Sequence, residues 1–193
     1  MAFEVKICGL TRRCDVEAAL ECGADFLGFV LVPASKRFVP LERLAELTRG
    51  LPGVRKVGVF MDAPLETIRR AVDVGELDVV QLHGSETADF ARSIDFSEVW
   101  KATYDETFPA ARLVCDAPQG GSGQFGDHAR AADLAKLRTV MLAGGITPSN
   151  VAAVAAAVRP AGVDVASGVE SAPGVKDRKK LEALFTELKG LQS

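Results

Sequence analysis

The sequence predicts an α/β protein, a compact (β/α)8 TIM barrel, and three observations support that prediction. Eight short apolar segments follow one another along the chain, and most are separated by segments with helical periodicity. Several of the eight are apolar at nearly every position, as expected of strands that are covered on both faces of a parallel sheet. The 193 residues leave about 24 for each of eight units, which is compact for a fold that typically needs about 250 residues.

The predicted strands are short segments rich in β-branched and aromatic residues. They are residues 5–8, 26–31, 56–61, 79–83, 99–103, 112–116, 139–143 and 163–166. The same alternation permits an open doubly wound sheet, but a count of eight strands favours the barrel. No linker, charge block or low-complexity segment indicates a boundary, so we expect residues 1–193 to form a single barrel domain.

Segments with an apolar helical face separate most of the strands. They are residues 13–21, 41–49, 65–74, 87–94, 129–136, 149–158 and 176–189. Thr147 followed by Pro148 predicts an N-cap with proline at the first helical position, and Pro64 is placed to open the third helix. Only residues 104–111, which include Pro109, separate the fifth strand from the sixth. We therefore expect the helix between these two strands to be missing or reduced.

Composition and charge narrow the classes of function. The chain carries 26 acidic and 23 basic residues, a net charge of -3, which gives no basic face for nucleic acid. No apolar run approaches the roughly 20 residues that span a bilayer. The four cysteines have no Cys-x-x-Cys spacing, as is typical of a compartment where thiols stay reduced. We expect a cytoplasmic protein without disulfides that acts on a small molecule.

In a barrel of this kind, the active site lies at the C-terminal ends of the strands. Side chains alternate along a strand with a period of two, so Lys6 and Cys8 share one face of the first strand. The face that ends in a polar residue must be the barrel interior. The same alternation places Gln81 and His83 on the inner face of the fourth strand. Cys8, His83 and Asp116 are therefore predicted to meet at the mouth. A strand cysteine is more often a packing residue, and an aspartate here is equally suited to starting a turn.

Glycine clusters follow the last three strands of the predicted barrel. Gly120 to Gly123 follow the sixth, Gly144 and Gly145 the seventh, and Ser167 with Gly168 the eighth. The last two lie where such barrels hold phosphate through backbone N–H groups and a short helix N-terminus, although glycines also serve tight turns. The sequence has no nucleotide-binding motif, Ser-His-Asp order or metal-ligand spacing. We therefore expect a reaction on a sugar phosphate that uses no cofactor and no metal.

Several motifs in one order run through nearly the whole chain. They are Lys6-Ile-Cys-Gly-Leu-Thr11, Gly28-Phe-Val30, Ser35-Lys-Arg-Phe38, Val57-Gly-Val-Phe60, Val80-Gln-Leu-His-Gly84, Asp116, Gly120-Gly-Ser-Gly123, Gly144-Gly145 and Asp164-Val-Ala-Ser-Gly-Val-Glu170. Together they resemble the phosphoribosylanthranilate isomerase family of tryptophan biosynthesis. The Lys-Ile-Cys-Gly and Gln-Leu-His-Gly segments are the most specific.

The resemblance implies an Amadori rearrangement of N-(5-phosphoribosyl)anthranilate to 1-(2-carboxyphenylamino)-1-deoxyribulose 5-phosphate. Asp116 matches the general acid that opens the ribose ring, and Cys8 matches the general base that removes the proton from C2. Arg37 matches the arginine that pairs with the anthranilate carboxylate. The remaining implied contacts are to the substrate through Gln81, His83, Gly121, Ser122 and Gly123, and to its phosphate through Gly144, Gly145, Ser167 and Gly168. The protein is expected to be a monomer or a homodimer.

A thiol that acts as a base needs nearby positive charge, because an unperturbed thiol has a pKa of about 8.5. Lys6 is placed to supply that charge. In a closed barrel the first strand neighbours the eighth, so we expect buried Lys6 to pair with inward-facing Asp164.

The chain also departs from the family pattern, and two other functions stay open. Residues 124–128 read Gln-Phe-Gly-Asp-His where the family usually has Lys-Thr-Phe-Asp-Trp, and residues 32–36 lack the usual aromatic residue and second proline. The first alternative is another sugar-phosphate isomerase or epimerase barrel, although those use metal ligands or paired aspartates. The second is a non-catalytic barrel that binds a phosphate ligand.

Overall fold

The computed structural model describes residues 3–51, 53–116 and 127–189. Eight parallel strands close into a barrel in the order of the sequence, and the last strand pairs with the first. The strands are β1 (Glu4–Cys8), β2 (Phe26–Val30), β3 (Arg55–Phe60), β4 (Val79–Leu82), β5 (Glu98–Ala102), β6 (Arg112–Cys115), β7 (Val140–Leu142) and β8 (Gly162–Val165). The predicted barrel is confirmed, and the doubly wound alternative is wrong.

Helices cover the outside of the barrel. They are α1 (Arg13–Cys22), α2 (Leu41–Thr48), α3 (Leu65–Gly75), α4 (Ala88–Arg92), α5 (His128–Ala135), α6 (Val151–Val158) and α7 (Arg178–Leu188). The chain passes from β5 to β6 through residues 103–111 without a helix, which confirms that this helix is missing. Within the described ranges, no helix is both long and apolar enough to cross a membrane.

The start of α6 differs from the prediction. Thr147 does not cap the helix; Asn150 occupies the N-cap position, and Val151 is the first helical residue. The Asn150 Oδ1 atom instead accepts a hydrogen bond of 2.8 Å from the Thr147 backbone N–H. Residues 148–150 therefore form a turn before the helix, and Pro148 lies in that turn, where it needs no backbone donor. Pro64 directly precedes α3, as the N-cap rather than the first helical residue.

The start of α7 was also predicted too early. A short antiparallel hairpin, β9 (Glu170–Ala172) and β10 (Val175–Lys176), precedes this helix. Asp177 then caps α7, because its side-chain oxygen accepts hydrogen bonds from the backbone N–H groups of Lys179 and Lys180, at 2.9 and 3.2 Å. Lys176 therefore lies on a strand and not on the helix.

The interior of the barrel is closed at the N-terminal ends of the strands. Phe26 and Trp100 meet edge to face there, with ring centroids 4.9 Å apart. The Arg112 guanidinium lies 5.1 Å from each ring centroid and pairs with Glu4. This plug of aromatic and charged side chains fills the lower barrel and leaves the upper end, where the strands finish, as the open one.

Candidate active site

A cavity of about 610 Å³ opens at the C-terminal ends of the strands. Every strand of the barrel, or the loop that follows it, contributes to its walls. The lining includes most of the residues that the sequence predicted for the site: Cys8, Arg37, Gln81, His83, Asp116, Gly144, Gly145 and Ser167. Gly121, Ser122 and Gly123 lie outside the described residues. Strand parity therefore predicted correctly which side chains of β1 and β4 turn inward.

The loops after β7 and β8 meet at one side of the cavity. Gly144 and Gly145 have φ angles of 82° and 65°, in the left-handed region that favours glycine. Gly168 does not line the cavity, but a Cβ atom there would overlap the carbonyl oxygen of Ile146. Ser167 begins a short 3₁₀ helix, Ser167–Val169, directly after β8. The glycines thus allow the two loops to touch, and a phosphate role for them remains a prediction.

Cys8 is buried next to a cation whose charge is already compensated. The Lys6 Nζ atom lies 3.5 Å from the Cys8 Sγ atom and 2.7 Å from the Asp164 Oδ2 atom. The second contact confirms the expected ion pair between Lys6 and Asp164. Burial lowers the pKa of Lys6, but the attraction of Asp164, joined by that of Cys8 when it is ionised, outweighs burial and holds the pKa of Lys6 above its ordinary value. Lys6 is therefore an ammonium ion at neutral pH.

The protonation of Cys8 differs from what a cationic neighbour alone would produce. Burial raises the pKa of the Cys8 thiol and outweighs the lowering effect of Lys6 and Lys176. The negative charge of Asp164 adds to this rise, because it offsets the ammonium group of Lys6. Lys6 lowers the pKa of Cys8, as expected, but does not bring it below the ordinary value. At neutral pH the cysteine without a ligand is a thiol.

Two further side chains connect Lys6 with Asp116 across the cavity. Lys6 Nζ donates a hydrogen bond of 2.6 Å to the Gln81 Oε1 atom. The Gln81 Nε2 atom lies 3.4 Å from His83 Nδ1, and His83 Nε2 lies 3.4 Å from Asp116 Oδ2. Gln81 is 1% exposed, so its contacts are mainly with these neighbours. This series of contacts is called the Lys6–Asp116 chain below.

Tyr104 is a cavity residue that the sequence reasoning missed. Its hydroxyl group donates a hydrogen bond of 3.2 Å to the backbone oxygen of Asp116. Burial raises the pKa of Tyr104 to about 12, so its hydroxyl group stays protonated at neutral pH. Tyr104 follows β5 in the segment without a helix. No helical or strand periodicity there predicts which way a side chain points.

Arg37 lines the cavity, and a buried carboxylate holds it in place. Its Nε and Nη2 atoms donate to the two oxygens of Glu170 at 2.9 and 2.7 Å. Burial raises the pKa of Glu170, but the bonds from Arg37 and Lys176 outweigh it and lower that pKa below its ordinary value. Gly9 makes room for this arrangement, since a Cβ atom there would overlap the Arg37 Cδ atom.

Lys176 joins three parts of the site and was not predicted as a site residue. Its Nζ atom donates to Glu170 Oε1 at 2.9 Å, to the Cys8 backbone oxygen at 2.6 Å and to the Ala166 backbone oxygen at 3.1 Å. It therefore ties the end of β1 to the end of β8 and to the carboxylate that holds Arg37. Glu170 lies in a motif of the family resemblance, but no local pattern marks Lys176.

The described residues contain no group of three or more His, Cys, Asp or Glu side chains that could hold a metal ion. All four cysteines are free. The polar groups of the cavity can exchange protons and bind anions: a thiol, a carboxylate beside an imidazole, an arginine, and exposed backbone at two glycine-rich loops. This set suits acid–base chemistry on an anionic substrate.

The sequence is similar to one family of enzymes over nearly its full length. The model of the family described as N-(5'-phosphoribosyl)anthranilate (PRA) isomerase matches residues 5–187. The N-(5'-phosphoribosyl)anthranilate isomerase of Chromohalobacter salexigens is 41% identical over 205 residues, covering 98% of this chain and 95% of the relative. That of Geotalea uraniireducens is 39% identical over 201 residues, covering 97% and 99%.

Solved structures show the same similarity. Phosphoribosyl anthranilate isomerase from Thermus thermophilus matches with a TM-score of 0.93 at 42% identity, over 98% of this chain and 100% of that one. A phosphoribosyl anthranilate isomerase in complex with reduced 1-(o-carboxyphenylamino)-1-deoxyribulose 5-phosphate matches with a TM-score of 0.87 at 33% identity, over 97% and 99%. On these matches, and on the barrel that carries the cavity, the chain belongs to the phosphoribosylanthranilate isomerase family of tryptophan biosynthesis.

Proposed function

We propose that this cavity catalyses the Amadori rearrangement of N-(5'-phosphoribosyl)anthranilate, with Asp116 as the general acid and Cys8 as the general base. The observation that carries the proposal is the placement of these two groups. They lie at the ends of β6 and β1, and both line one cavity together with His83. The ligand of the similar structure, a reduced 1-(o-carboxyphenylamino)-1-deoxyribulose 5-phosphate, supports this substrate class.

Asp116 and Cys8 make two proton transfers, and a tautomerisation of the substrate completes the reaction. Asp116 gives a proton to the ribose ring oxygen, the bond from that oxygen to C1 breaks, and an iminium ion forms at C1. Cys8 as thiolate then takes the proton from C2, which leaves an enolamine that tautomerises to the ketone. No atoms are gained or lost, as an isomerisation requires.

The order of these steps explains how a buried thiol acts as a base. In the absence of substrate, burial keeps the pKa of Cys8 above its ordinary value. Ring opening places a positive charge on the substrate, and a nearby cation favours the thiolate. We propose that Cys8 ionises at this stage and that its proton passes through solvent to the Asp116 carboxylate, which has just lost one. Lys6 and Lys176 help, because their positive charges both lower the pKa of Cys8.

Arg37 and the two glycine-rich loops would bind the two anionic ends of the substrate. The bonds to Glu170 use two of the five N–H groups of the Arg37 guanidinium. We propose that the other N–H groups bind the anthranilate carboxylate. The backbone N–H groups at Gly144, Gly145, Ser167 and Gly168 would bind the phosphate, which their position after β7 and β8 supports.

Loss of the anthranilate-type fluorescence of the substrate tests the proposal directly. We expect wild-type protein to abolish this fluorescence, and Cys8→Ala and Asp116→Ala each to stop turnover while the fold and the binding of a reduced product analogue are retained. Binding of the analogue by wild-type protein without turnover would instead identify a non-catalytic phosphate-binding barrel. Near wild-type turnover in either variant would refute the assigned role.

We also propose that the reaction takes place in the cytoplasm, which the four free cysteines support. The oligomeric state, monomer or homodimer, stays a prediction that light scattering on the purified protein would test.

A further inference from the structure

The Lys6–Asp116 chain contains two side chains whose hydrogen-bond roles follow from chemistry. A lysine ammonium group only donates, so the Gln81 atom 2.6 Å from Lys6 Nζ must be the amide oxygen. The amide nitrogen of Gln81 then faces His83 Nδ1 at 3.4 Å. An amide nitrogen also only donates, so Nδ1 must accept and cannot carry a proton.

The same logic determines the other side of the imidazole ring. A neutral histidine with an unprotonated Nδ1 carries its proton on Nε2. That atom lies 3.4 Å from Asp116 Oδ2, so the N–H group is on the side of the carboxylate. The donor therefore stands next to the oxygen that becomes negative when Asp116 gives up its proton.

We propose that Gln81 is a positioning residue: held by Lys6, it selects the tautomer of His83 that carries its proton on Nε2, directed at Asp116. The consequence for catalysis rests on the proposed function, in which Asp116 is the general acid. In that reaction, the Nε2–H group stabilises the Asp116 carboxylate once the ring oxygen of the substrate has taken its proton. In this role Gln81 acts on the reaction through His83.

The charged neighbours maintain this arrangement. Among the described residues, the charged and titratable groups next to the Lys6–Asp116 chain include Cys8 from β1 and Asp164 from β8, which contact Lys6, and Tyr104, which bonds the backbone of Asp116. If His83 took up a second proton, its Nδ1–H group would point at the amide protons of Gln81. Turning the amide over would relieve that clash, but it would place the amide protons against the ammonium group of Lys6. Lys6 therefore fixes the orientation of the Gln81 amide, and that amide favours an Nδ1 atom that accepts.

Nuclear magnetic resonance tests the tautomer without any substrate. The chain has only two histidines, His83 and His128, so protein labelled with ¹⁵N-histidine gives four ring-nitrogen signals. A His128→Gln variant assigns the two that belong to His83. We expect Nδ1 to be unprotonated and Nε2 protonated in the wild type at neutral pH, and Nδ1 to gain a proton in Gln81→Glu, whose carboxylate accepts. A protonated Nδ1 in the wild type, or unchanged signals in Gln81→Glu, would overturn the proposal.

Kinetics then test whether the tautomer matters for turnover. Gln81→Met keeps the length of the side chain but loses both polar contacts, and we expect kcat to fall about 10- to 100-fold with KM within about threefold of wild type. In His83→Gln, the amide N–H group takes the place of the Nε2–H group. An amide has no tautomer to be selected, so this N–H group is present in every molecule. Adding Gln81→Met to that variant should therefore cost less than about threefold more in kcat.

The two experiments separate this inference from the proposed function. Equal losses from Gln81→Met in both backgrounds would show that Gln81 acts elsewhere and would overturn the kinetic part. If the wild-type tautomer is as expected but the protein does not convert N-(5'-phosphoribosyl)anthranilate, the proposed function fails and the assignment of His83 stands.

Discussion

Removal of the charge of Asp164 is the perturbation that tests the electrostatics of the site most directly. In Asp164→Asn the side chain keeps its shape and still offers an oxygen to Lys6, so the change removes one charge and little else. Lys6 is 0% exposed and the Asp164 side chain 7% exposed, so water cannot replace the lost charge. Removal of one partner of a buried ion pair costs about 3–5 kcal/mol, because the other charge stays buried and uncompensated.

The sign of the pH dependence determines where this cost is measured. The folded-state pKa of Lys6 is raised, so the stabilisation from its charge is fully present below its ordinary pKa of 10.5 and is lost as the pH rises through the higher folded value. Urea unfolding at pH 7 therefore measures the whole effect. We expect Asp164→Asn to lower the free energy of unfolding by about 3–5 kcal/mol, or the melting temperature by roughly 10 °C.

The same variant is expected to change the thiol at the mouth. Asp164 raises the pKa of Cys8, and Lys6 lowers it. Without the aspartate charge, nothing offsets the effect of the Lys6 ammonium group on the thiol, so the pKa of Cys8 should fall. Thiolate absorbance in the ultraviolet, taken as the difference between variants with and without Cys8→Ala, would follow this fall.

An exposed ion pair provides the matched control. Arg178 and Glu21 lie 2.8 Å apart with side chains 64% and 60% exposed, so Glu21→Gln makes the same chemical change in water. We expect no measurable change in stability from this variant. A loss of less than about 1 kcal/mol in Asp164→Asn, or a loss no larger than the control, would refute the view that the Lys6 charge is buried and depends on Asp164.

Two further predictions concern the loops and the thiol. Gly168→Ala adds a Cβ atom that overlaps the Ile146 carbonyl oxygen, so the loops after β7 and β8 must separate. We expect KM to rise at least about tenfold while kcat changes less. Urea unfolding should show a stability loss of about 1–3 kcal/mol. An unchanged KM would place the phosphate elsewhere. Because burial raises the pKa of Cys8, iodoacetamide should alkylate it slowly at pH 7. The alkylation rate should keep increasing with pH beyond about 8.5, the ordinary pKa of a thiol. Mass spectrometry measures this rate, with Cys8→Ala as the control. A rate that levels off below that range would contradict a thiol at rest.

The family resemblance and the strand alternation were enough to predict most of the architecture. Alternation with period two is a local property of a strand, so the direction of Cys8 and Gln81 followed once the interior face was chosen. Closure of the barrel placed β1 beside β8, and the pair of Lys6 and Asp164 followed from that neighbourhood. Local signals were weaker at helix starts: Asn150 competes with Thr147 for the same turn, and propensity alone does not decide between them.

Contacts between distant parts of the chain lay beyond such signals. Lys176 reaches Cys8 across 168 positions, through a hairpin that has no hydrophobic periodicity of its own. Glu170 reaches Arg37 across 133 positions. It therefore pairs with part of the Arg37 guanidinium, for which the family resemblance implied only the substrate carboxylate as a partner. Tyr104 reaches the cavity from a loop. Each depends on how the loops fold over the barrel mouth, which is a property of the whole assembly.

By itself, therefore, the sequence determined the barrel and the inward direction of its polar strand ends, because these follow from short-range alternation and motifs. The roles of Asp116 as acid and Cys8 as base stay a prediction that the family resemblance implies. The protonation of Cys8 was decided only by the tertiary structure. Whether a lysine activates a thiol depends on burial and on the summed charge of neighbours that converge from several strands, and here burial and Asp164 outweigh Lys6 at Cys8. The same convergence places the Gln81 amide between Lys6 and His83, an arrangement that no local pattern encodes.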